Sequence, residues 1–402
     1  MSKVYQLGKG LGQYMDGRAQ TCTLVLTEQC NLRCKYCYQL DKNPHHPMSH
    51  KVAYRAIDFF FEMPEASEGI VLEFTGGECS LEVDLMRDAV EYFKAQLRYR
   101  HGHPWQAAYM LMFSTNGTLY HTEKFQRLLY ENRGHSYPAI TIDGTKRKHD
   151  SARIFADGRG SYDIVAKNVK LWLRQYPDAG TKITFSSGDL PYVSESIVHV
   201  WELGIKNVAA NAVFEDVWKP GDAELYESEL RKLADIAIDR GFWETHRCNL
   251  FWVPNPLKAP EDEDDRNWCG SGKMVSVDAE GNLFPCLRFQ GFCMSNRPGR
   301  PSGNIYEGYY EDVLRSFHCL RKSLQSPEEC LICNMRDQCA WCTGYNYDVA
   351  DSDTIFQRVT FICEMHKARW RANQYYWEQL EKRHGVHPKG YESLEQSTGC
   401  PI

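Results

Sequence analysis

Sixteen of the 402 residues are cysteine, and three of them stand together in "CNLRCKYC", at Cys30, Cys34 and Cys37. On a helix, positions i, i+4 and i+7 share one face, so three small core residues would account for the spacing. The flanking "NLRCKYCYQLDKNPHHP" weakens that reading, because it is charged all round, is soon broken by two prolines and has no apolar stripe. Zinc would need a fourth ligand, which a distant His or Cys would have to supply. An iron–sulfur cluster is usually held by four thiolates. Held by three, it leaves one iron open to another ligand, as catalytic zinc sites keep one position open.

A second, denser field follows. "CGSGKMVSVDAEGNLFPC" runs from Cys269 to Cys286 and contains Gly281-x4-Cys286, and "CLICNMRDQCAWC" supplies Cys330, Cys333, Cys339 and Cys342 before Cys363. Two Cys-x2-Cys pairs five residues apart would suit tetrahedral zinc. Zinc ribbons usually put more residues between their knuckles, and here seven cysteines form one ordered series. A disulfide framework suits small secreted domains rather than a chain of this size. Cys22 and Cys79 read as buried small residues and Cys400 as an incidental tail thiol.

The elements that must position these thiols alternate. "CTLVLT", "GIVLEFTGGE", "AAYMLMFSTNG", "YPAITIDG", "TKITFSS" and "NVAANAVF" read as six strands. Helical patterns lie between them in "MSHKVAYRAIDFFFEM" (Ser49 as N-cap), "LEVDLMRDAVEYFKAQLRY", "YDIVAKNVKLWLRQY" and "SESIVHVWELG". Parallel βα units follow, and the pattern stops near Phe214, short of eight units, which predicts an open or partial barrel. The turns "TGGE", "STNG" and "TIDG" close strands at the end where parallel α/β folds carry ligands. "GDAELYESELRKLADIAIDRGF" adds a helix, and the acidic, proline-containing run Pro254–Asn267 marks a boundary. From Trp268 to Cys363 the chain reads as loop-like, and "EMHKARWRANQYYWEQLEKRH" as a C-terminal helix.

Net charge of −6 gives no electrostatic reason to expect nucleic acid. No window approaches eighteen uninterrupted apolar residues, so no membrane span is expected. The first residues lack the apolar core of a secretory signal, which predicts a cytoplasmic chain with reduced thiols.

The triplet resembles the Cys-x3-Cys-x-aromatic-Cys signature of the radical S-adenosylmethionine (SAM) superfamily, with Tyr36 as the aromatic. "TGGE" resembles its Gly-Gly-Glu turn, "TIDG" its Ser-x-Asp-Gly turn with Thr141 for serine, and "KHDSAR" its His-Asp-x-x-Arg. The resemblance implies a 4Fe–4S cluster on Cys30, Cys34 and Cys37 whose fourth iron chelates SAM. Reductive cleavage of SAM then gives a 5′-deoxyadenosyl radical that abstracts a substrate hydrogen. It also implies that Gly76, Gly77 and Glu78 meet the SAM amino group, where glycines let backbone approach and a carboxylate or carbonyl accepts from an ammonium. Thr141 and Arg153 would hold its carboxylate, a task suited to the guanidinium fork, with Asn116 and Ser186 on ribose or methionine.

The second field resembles the SPASM extension of peptide-modifying members, except that Cys339 and Cys342 are one residue closer than in its pattern. Carried over, Cys330, Cys333, Cys339 and Cys363 would ligate an outer auxiliary 4Fe–4S cluster, and Cys269, Cys286 and Cys342 an inner one. The inner set's fourth ligand would be Cys248, Cys293, Cys319 or a substrate thiolate. The fold class implied is α/β, a partial (β/α)6 radical SAM barrel, then a cysteine-rich SPASM domain and a C-terminal helix. Its boundaries would be an N-terminal extension at 1–20, the barrel at 21–242, a bridge at 243–268, SPASM at 269–363 and a helix and tail at 364–402.

The function implied is maturation of a ribosomally made precursor peptide containing cysteine, with thioether cross-linking expected first. Carbon–carbon cross-linking and formylglycine formation are alternatives. The last is disfavoured because Cys269 stands alone and Leu287 follows Cys286, where sulfatase-activating members carry paired cysteines and Asp. "NAVFEDVWKPGDAE" resembles maturases of short cysteine-repeat peptides. A flavodoxin- or ferredoxin-type protein would donate electrons. The 29 residues before Cys30 are too few for a winged-helix leader-binding domain, and no general base stands out. The competing class is a non-catalytic zinc scaffold.

Overall fold

The computed structural model of the chain describes residues 18–40, 42, 47–63, 67–251, 269, 271–272, 274–333, 335 and 339–386. The acidic run at 254–267, most of the N-terminal extension and the tail with Cys400 lie outside these residues. All six expected strands form: β1 (Ala19–Thr27), β2 (Gly69–Gly76), β3 (Tyr109–Thr115), β4 (Ser136–Ile140), β5 (Gly180–Phe185) and β6 (Asn207–Ala212). Between them lie α1 (His50–Glu62), α2 (Val83–Tyr99), α3 (Glu123–Glu131), α4 (Lys146–Ala152), α5 (Tyr162–Gln175) and α6 (Val193–Glu202). Then come α7 (Asp222–Asp239), α8 (Phe242–Thr245) and β7 (Arg247–Cys248). Of these, α3, α4, α8 and β7 are absent from the sequence reading, because each is too short to show a clear periodicity.

The described chain divides into two compact units. The first takes residues up to Ile142, His149–Ala179 and Gly270–His318. Its sheet runs β1 to β4 in parallel, with Leu24 opposite Phe74 and Phe74 opposite Phe113. β1 is buried on both faces: Cys22, Leu24 and Leu26 have no exposure and Val25 almost none. A continuous apolar run is what a strand covered on both sides requires. α1 begins where Ser49 Oγ accepts from Val52 N at 3.2 Å, and buries Ala53, Ala56, Ile57 and Phe60 at helical spacing.

The segment expected to be loop-like adds four short strands to the same sheet. β8 (Val275–Val277) pairs in parallel with β1, placing Val275 opposite Cys22. β9 (Asn282–Phe284), β10 (Gly303–Asn304) and β11 (Gly308–Tyr309) then follow antiparallel. The sheet order is β11-β10-β9-β8-β1-β2-β3-β4. Strands of two and three residues carry too little alternation to be seen in sequence.

The second unit takes Asp143–Lys148, Gly180–Cys269 and the residues from Cys319 onward. β5, β6 and β7 form its parallel sheet. α13 (Cys363–His384) packs along α7, after three short helices, α10 (Lys322–Gln325), α11 (Glu328–Leu331) and α12 (Thr343–Val349); α9 (Glu311–His318) closes the first unit. α7 buries Tyr226, Leu230, Leu233, Ala234 and Ala237. The seam is laced by Arg371 to Glu227 at 2.5 Å and by Arg383 to Asp235 and Asp239 at 2.9 and 2.7 Å.

Candidate functional site

The loop carrying Cys30, Cys34 and Cys37 leaves the C-terminal end of β1 and is held by backbone on two sides. Arg33 N donates to Ile154 O at 2.7 Å and Lys35 N to Ala152 O at 3.1 Å, while Leu32 bridges Phe155. On the other side Gly77 N donates to Thr27 O at 2.8 Å and Glu78 N to Gln29 O at 2.9 Å. Both supports are therefore segments the sequence motifs single out, the Gly-Gly-Glu turn and the chain around Arg153.

The glycines answer first to the protein itself. Gly76 has φ +135°, and a Cβ there would lie 2.1 Å from Thr27 O; one on Gly77 would lie 2.3 Å from Gln29 O. Real Cβ atoms do not tolerate such contacts, so the β2 turn can close on the run into Cys30 only as Gly-Gly. The Gly76 carbonyl accepts from Gln39 Nε2 at 2.9 Å. This close approach is to Thr27–Gln29, a neighbour additional to the ligand that the motif brings to mind.

Glu78 is almost wholly buried. Its Oε1 accepts from Ser80 N (3.0 Å), Ser80 Oγ (2.6 Å) and Thr115 Oγ1 (2.6 Å), and its Oε2 from Asn116 N at 2.6 Å. A carboxylate so surrounded is fixed in place. Asn116, at the end of β3, reaches the cysteine loop: Nδ2 donates to Asn31 Oδ1 at 2.7 Å and stands 3.9 Å from Cys30 Sγ. Leu32 N also donates to Cys30 Sγ, at 3.4 Å. Burial pushes the Cys30 thiol up, with the Leu32 amide and Lys42 opposing. Cys34 and Cys37 are half-buried, and Cys37 N donates to Cys34 O at 3.2 Å.

Arg153 is buried and donates from Nη1 to the Tyr36 hydroxyl at 2.9 Å. The motif's other polar members serve the loop that carries it. His149 Nε2 meets Ser161 Oγ at 3.0 Å, Ser161 Oγ donates to Arg153 O at 2.8 Å, and Asp150 Oδ1 accepts from Tyr162 N at 2.8 Å. A Cβ on Gly160 would fall 2.0 Å from the Asp150 carboxyl carbon. Thr141 is half-buried, its N–H on Thr115 O at 3.4 Å. Ser186 belongs to the second unit, where its hydroxyl and its N–H donate to Asp189 Oδ2 at 2.8 and 2.9 Å.

In the second unit Cys330, Cys333, Cys339 and Cys363 share one electrostatic neighbourhood. Cys339 is pushed up to about 11, first by burial, then by Cys363 and Cys330, against Arg358 and Arg369. Cys363 is raised by burial and by Cys330 and Cys333, with Lys367 opposing. Thiols that raise one another, with Arg358, Arg369 and Lys367 opposing, suit a bound group that makes them thiolates. Cys269 Sγ lies 3.0 Å from Thr343 Oγ1, and Cys342 caps α12 by accepting from Tyr345 N at 3.4 Å. Cys286, in the first unit, accepts from Ser271 Oγ at 3.9 Å. Among the suggested fourth ligands, Cys248 is buried in β7 and pushed up to about 12 by that burial, and Cys319 is exposed. Cys293 packs with Val25, Phe292, Tyr38 and Leu287.

Among the described residues no three His, Cys, Asp or Glu side chains converge as ligands of a single ion would. Thiolates of a 4Fe–4S cube bind different irons, so they need to be spread rather than convergent. The donor set at Cys30, with sulfur accepting amide hydrogens and glycines that let the supports close in, fits such a cluster. Sequence reasoning missed Asn31, Thr118, Gln39 and His366. Only Asn31, adjacent to Cys30, carried any signal, since the others depend on contacts across the fold.

Residues 24–189 match the model of the Radical SAM superfamily. The chain carries a radical SAM domain, whose cofactors are SAM and a 4Fe–4S cluster. The serine-type anaerobic sulfatase-maturating enzyme of Bacteroides thetaiotaomicron is 26% identical over 317 residues, 71% of this chain and 72% of that protein. The antilisterial bacteriocin subtilosin biosynthesis protein AlbA of Bacillus subtilis is 24% identical over 332 residues, 80% of this chain and 65% of that one. The solved structure of native anSMEcpe with bound AdoMet superposes with a TM-score of 0.69 at 19% identity, covering 90% of this chain and 98% of that one. The α/β architecture with its parallel sheet is thus the fold of that solved structure, and the radical SAM match lies over residues 24–189.

Proposed function

We propose that Cys30, Cys34 and Cys37 hold the 4Fe–4S cluster of a radical SAM maturase that joins a cysteine sulfur to a carbon within a ribosomally made precursor peptide. The observation that carries the reading is the three-thiol loop after β1, clamped between the Gly-Gly-Glu turn and the strand leading from Arg153. When bound and reduced by one electron, the cluster and SAM supply a 5′-deoxyadenosyl radical that takes a hydrogen atom from the peptide. The chain's residues bind and sort. Glu78 carries fixed negative charge on one support of the loop and Arg153 positive charge on the other, so the ammonium and carboxylate ends of a bound amino acid are distinguished. Tyr36 orients Arg153. Thr141 adds a hydroxyl for the carboxylate, and Ser186 is a further polar group at a strand end.

The auxiliary sets are proposed as expected from sequence: Cys330, Cys333, Cys339 and Cys363 outside, Cys269, Cys286 and Cys342 inside, within a SPASM region at 269–363. Forming the thioether removes one hydrogen atom from the peptide to the 5′-deoxyadenosyl radical, one proton from the thiol to solvent and one electron, which an auxiliary cluster would accept. An incomplete inner set leaves room for the substrate thiolate, whose pKa a metal would lower. The electron donor is proposed to be a flavodoxin or ferredoxin type, and the setting cytoplasmic; among the described residues no helix is long and apolar enough to cross a membrane. Formylglycine formation is a second reading, favoured by the likeness to a sulfatase-maturating enzyme.

Co-expression with a cysteine-containing peptide encoded beside this protein separates the two. The thioether reading predicts loss of two hydrogens per bond, disappearance of a thiol and no reaction with a hydrazide. An aldehyde captured by hydrazide would replace it with formylglycine chemistry. A peptide recovered unchanged from an iron-loaded enzyme that cleaves SAM would contradict both.

A further inference from the structure

The turn after β3 and the residue after Cys30 form a closed polar ring within the first unit. Asn116 Nδ2 donates to Asn31 Oδ1 (2.7 Å), Asn31 Nδ2 to Thr118 Oγ1 (2.8 Å), and Thr118 returns two bonds to Asn116 Oδ1, from N at 2.9 Å and Oγ1 at 2.7 Å. Asn116 Oδ1 thus accepts twice, and one Nδ2 hydrogen is committed to Asn31. Its backbone is anchored separately, on Glu78 Oε2 at 2.6 Å. Asn116 and Thr118 are both buried. Among the described residues the remaining Nδ2 hydrogen has Cys30 Sγ in reach, at 3.9 Å. That arrangement leaves little of Asn116 for a ribose or a methionine.

We propose that Asn116 is a positioning residue for Cys30: the Asn31–Asn116–Thr118 ring fixes the first cysteine of the triplet and keeps an amide hydrogen on its sulfur, which tunes the cluster held there. The proposal rests on the assignment of Cys30 as a cluster ligand. Two consequences follow from the chemistry. Without metal, the ring keeps the Cys30 thiol packed and slow to react. With the cluster bound, an N–H on the thiolate stabilises the more reduced, more negative state, because hydrogen bonds to sulfur are among the terms that set cluster potentials.

The test uses full-length protein in two states with Asn116→Ala and Asn31→Ala. In metal-free protein, iodoacetamide labelling read by mass spectrometry is expected to rise about tenfold at Cys30 in both variants and to stay level at Cys286. In anaerobically reconstituted protein, an EPR-monitored redox titration of the SAM-responsive signal is expected to show a more negative potential for Asn116→Ala, with SAM affinity within about twofold of wild type. Unchanged Cys30 labelling and potential, together with weakened SAM binding, would overturn the proposal in favour of a direct ligand contact. Should Asn116→Ala fail to fold by circular dichroism, Asn31→Ala decides, since Asn31 is half-buried and its loss breaks the ring from the outside. The labelling arm needs no cluster. If labelling rises at Cys30 and no SAM-responsive signal forms even in wild type, the radical SAM assignment fails while the packing role stands.

Discussion

At the scale of single residues, the site is organised by groups that hold other groups. Tyr36 is the aromatic of the cysteine signature, and its hydroxyl does a second task by accepting from Arg153 at 2.9 Å. Tyr36→Phe removes that acceptor and leaves the ring. A hydrogen bond to a charged group contributes about 1.5–3 kcal/mol, so SAM affinity should fall roughly tenfold by isothermal titration or equilibrium dialysis. Iron content should be unchanged; lost iron with unchanged SAM affinity would contradict the role. Gly77 makes a different prediction. Gly77→Ala places a Cβ 2.3 Å from Gln29 O, and neither backbone can yield without moving the run into Cys30. Destabilisation of about 1–3 kcal/mol is expected from overpacking, read as a lower urea midpoint with reduced iron retention; a midpoint equal to wild type would refute it.

At the scale of elements, the βα alternation was legible because each of the first six strands is a run of apolar residues closed by a polar turn. The four strands after Val275 were not, because β8 pairs with β1 across some 250 intervening residues and nothing local encodes so distant a partner. Equally invisible was the pairing of Asp143 with Lys148, although the stretches "TIDG" and "KHDSAR" contain them. In the second unit both side chains are fully buried, 3.7 Å apart, with Lys148 Nζ on Thr184 O and over the Phe185 ring, and Thr184 N on Asp143 Oδ1 at 3.3 Å. The pair pins the end of β5, two residues before Ser186. Lys148→Ala strands a buried carboxylate and should cost about 3–5 kcal/mol, whereas Asp143→Asn with Lys148→Met should recover most of it. Denaturant melts of wild type and these two variants check this, and a double variant no more stable than Lys148→Ala would contradict the coupling.

α13 carries a further prediction. His366, one helical turn past Cys363, is buried against Arg369 and Arg358 and held down to about 3, while its Nε2 meets Ala340 O at 2.9 Å. A histidine ordinarily titrates near 6.5, so below that pH the unfolded chain binds a proton that the folded one excludes. Stability from this site is complete above about pH 6.5 and lost as pH falls toward 3. Thermal melts of wild type should therefore fall across that window more steeply than those of His366→Gln, and parallel slopes would show that the site does not titrate in this way.

At the scale of the whole molecule, two cysteine fields far apart in sequence have different surroundings: hydrogen bonds and glycine turns around Cys30, and the opposing charges of Arg358, Arg369 and Lys367 on the later cysteines. The triplet was readable from spacing because three thiols in a charged, proline-ended segment have no place in a core. The roles of Asn31 and Thr118 were not, since they arise only when the loops after β1 and β3 meet. The central claim is that Cys30, Cys34 and Cys37 support reductive cleavage of SAM. Anaerobically reconstituted, reduced protein incubated with SAM is assayed by chromatography for 5′-deoxyadenosine, beside the variant with all three cysteines replaced by alanine. The account predicts time-dependent product from wild type and none from the variant, which should retain the iron of the second field. Product from the variant, or none from fully reconstituted wild type, would contradict it.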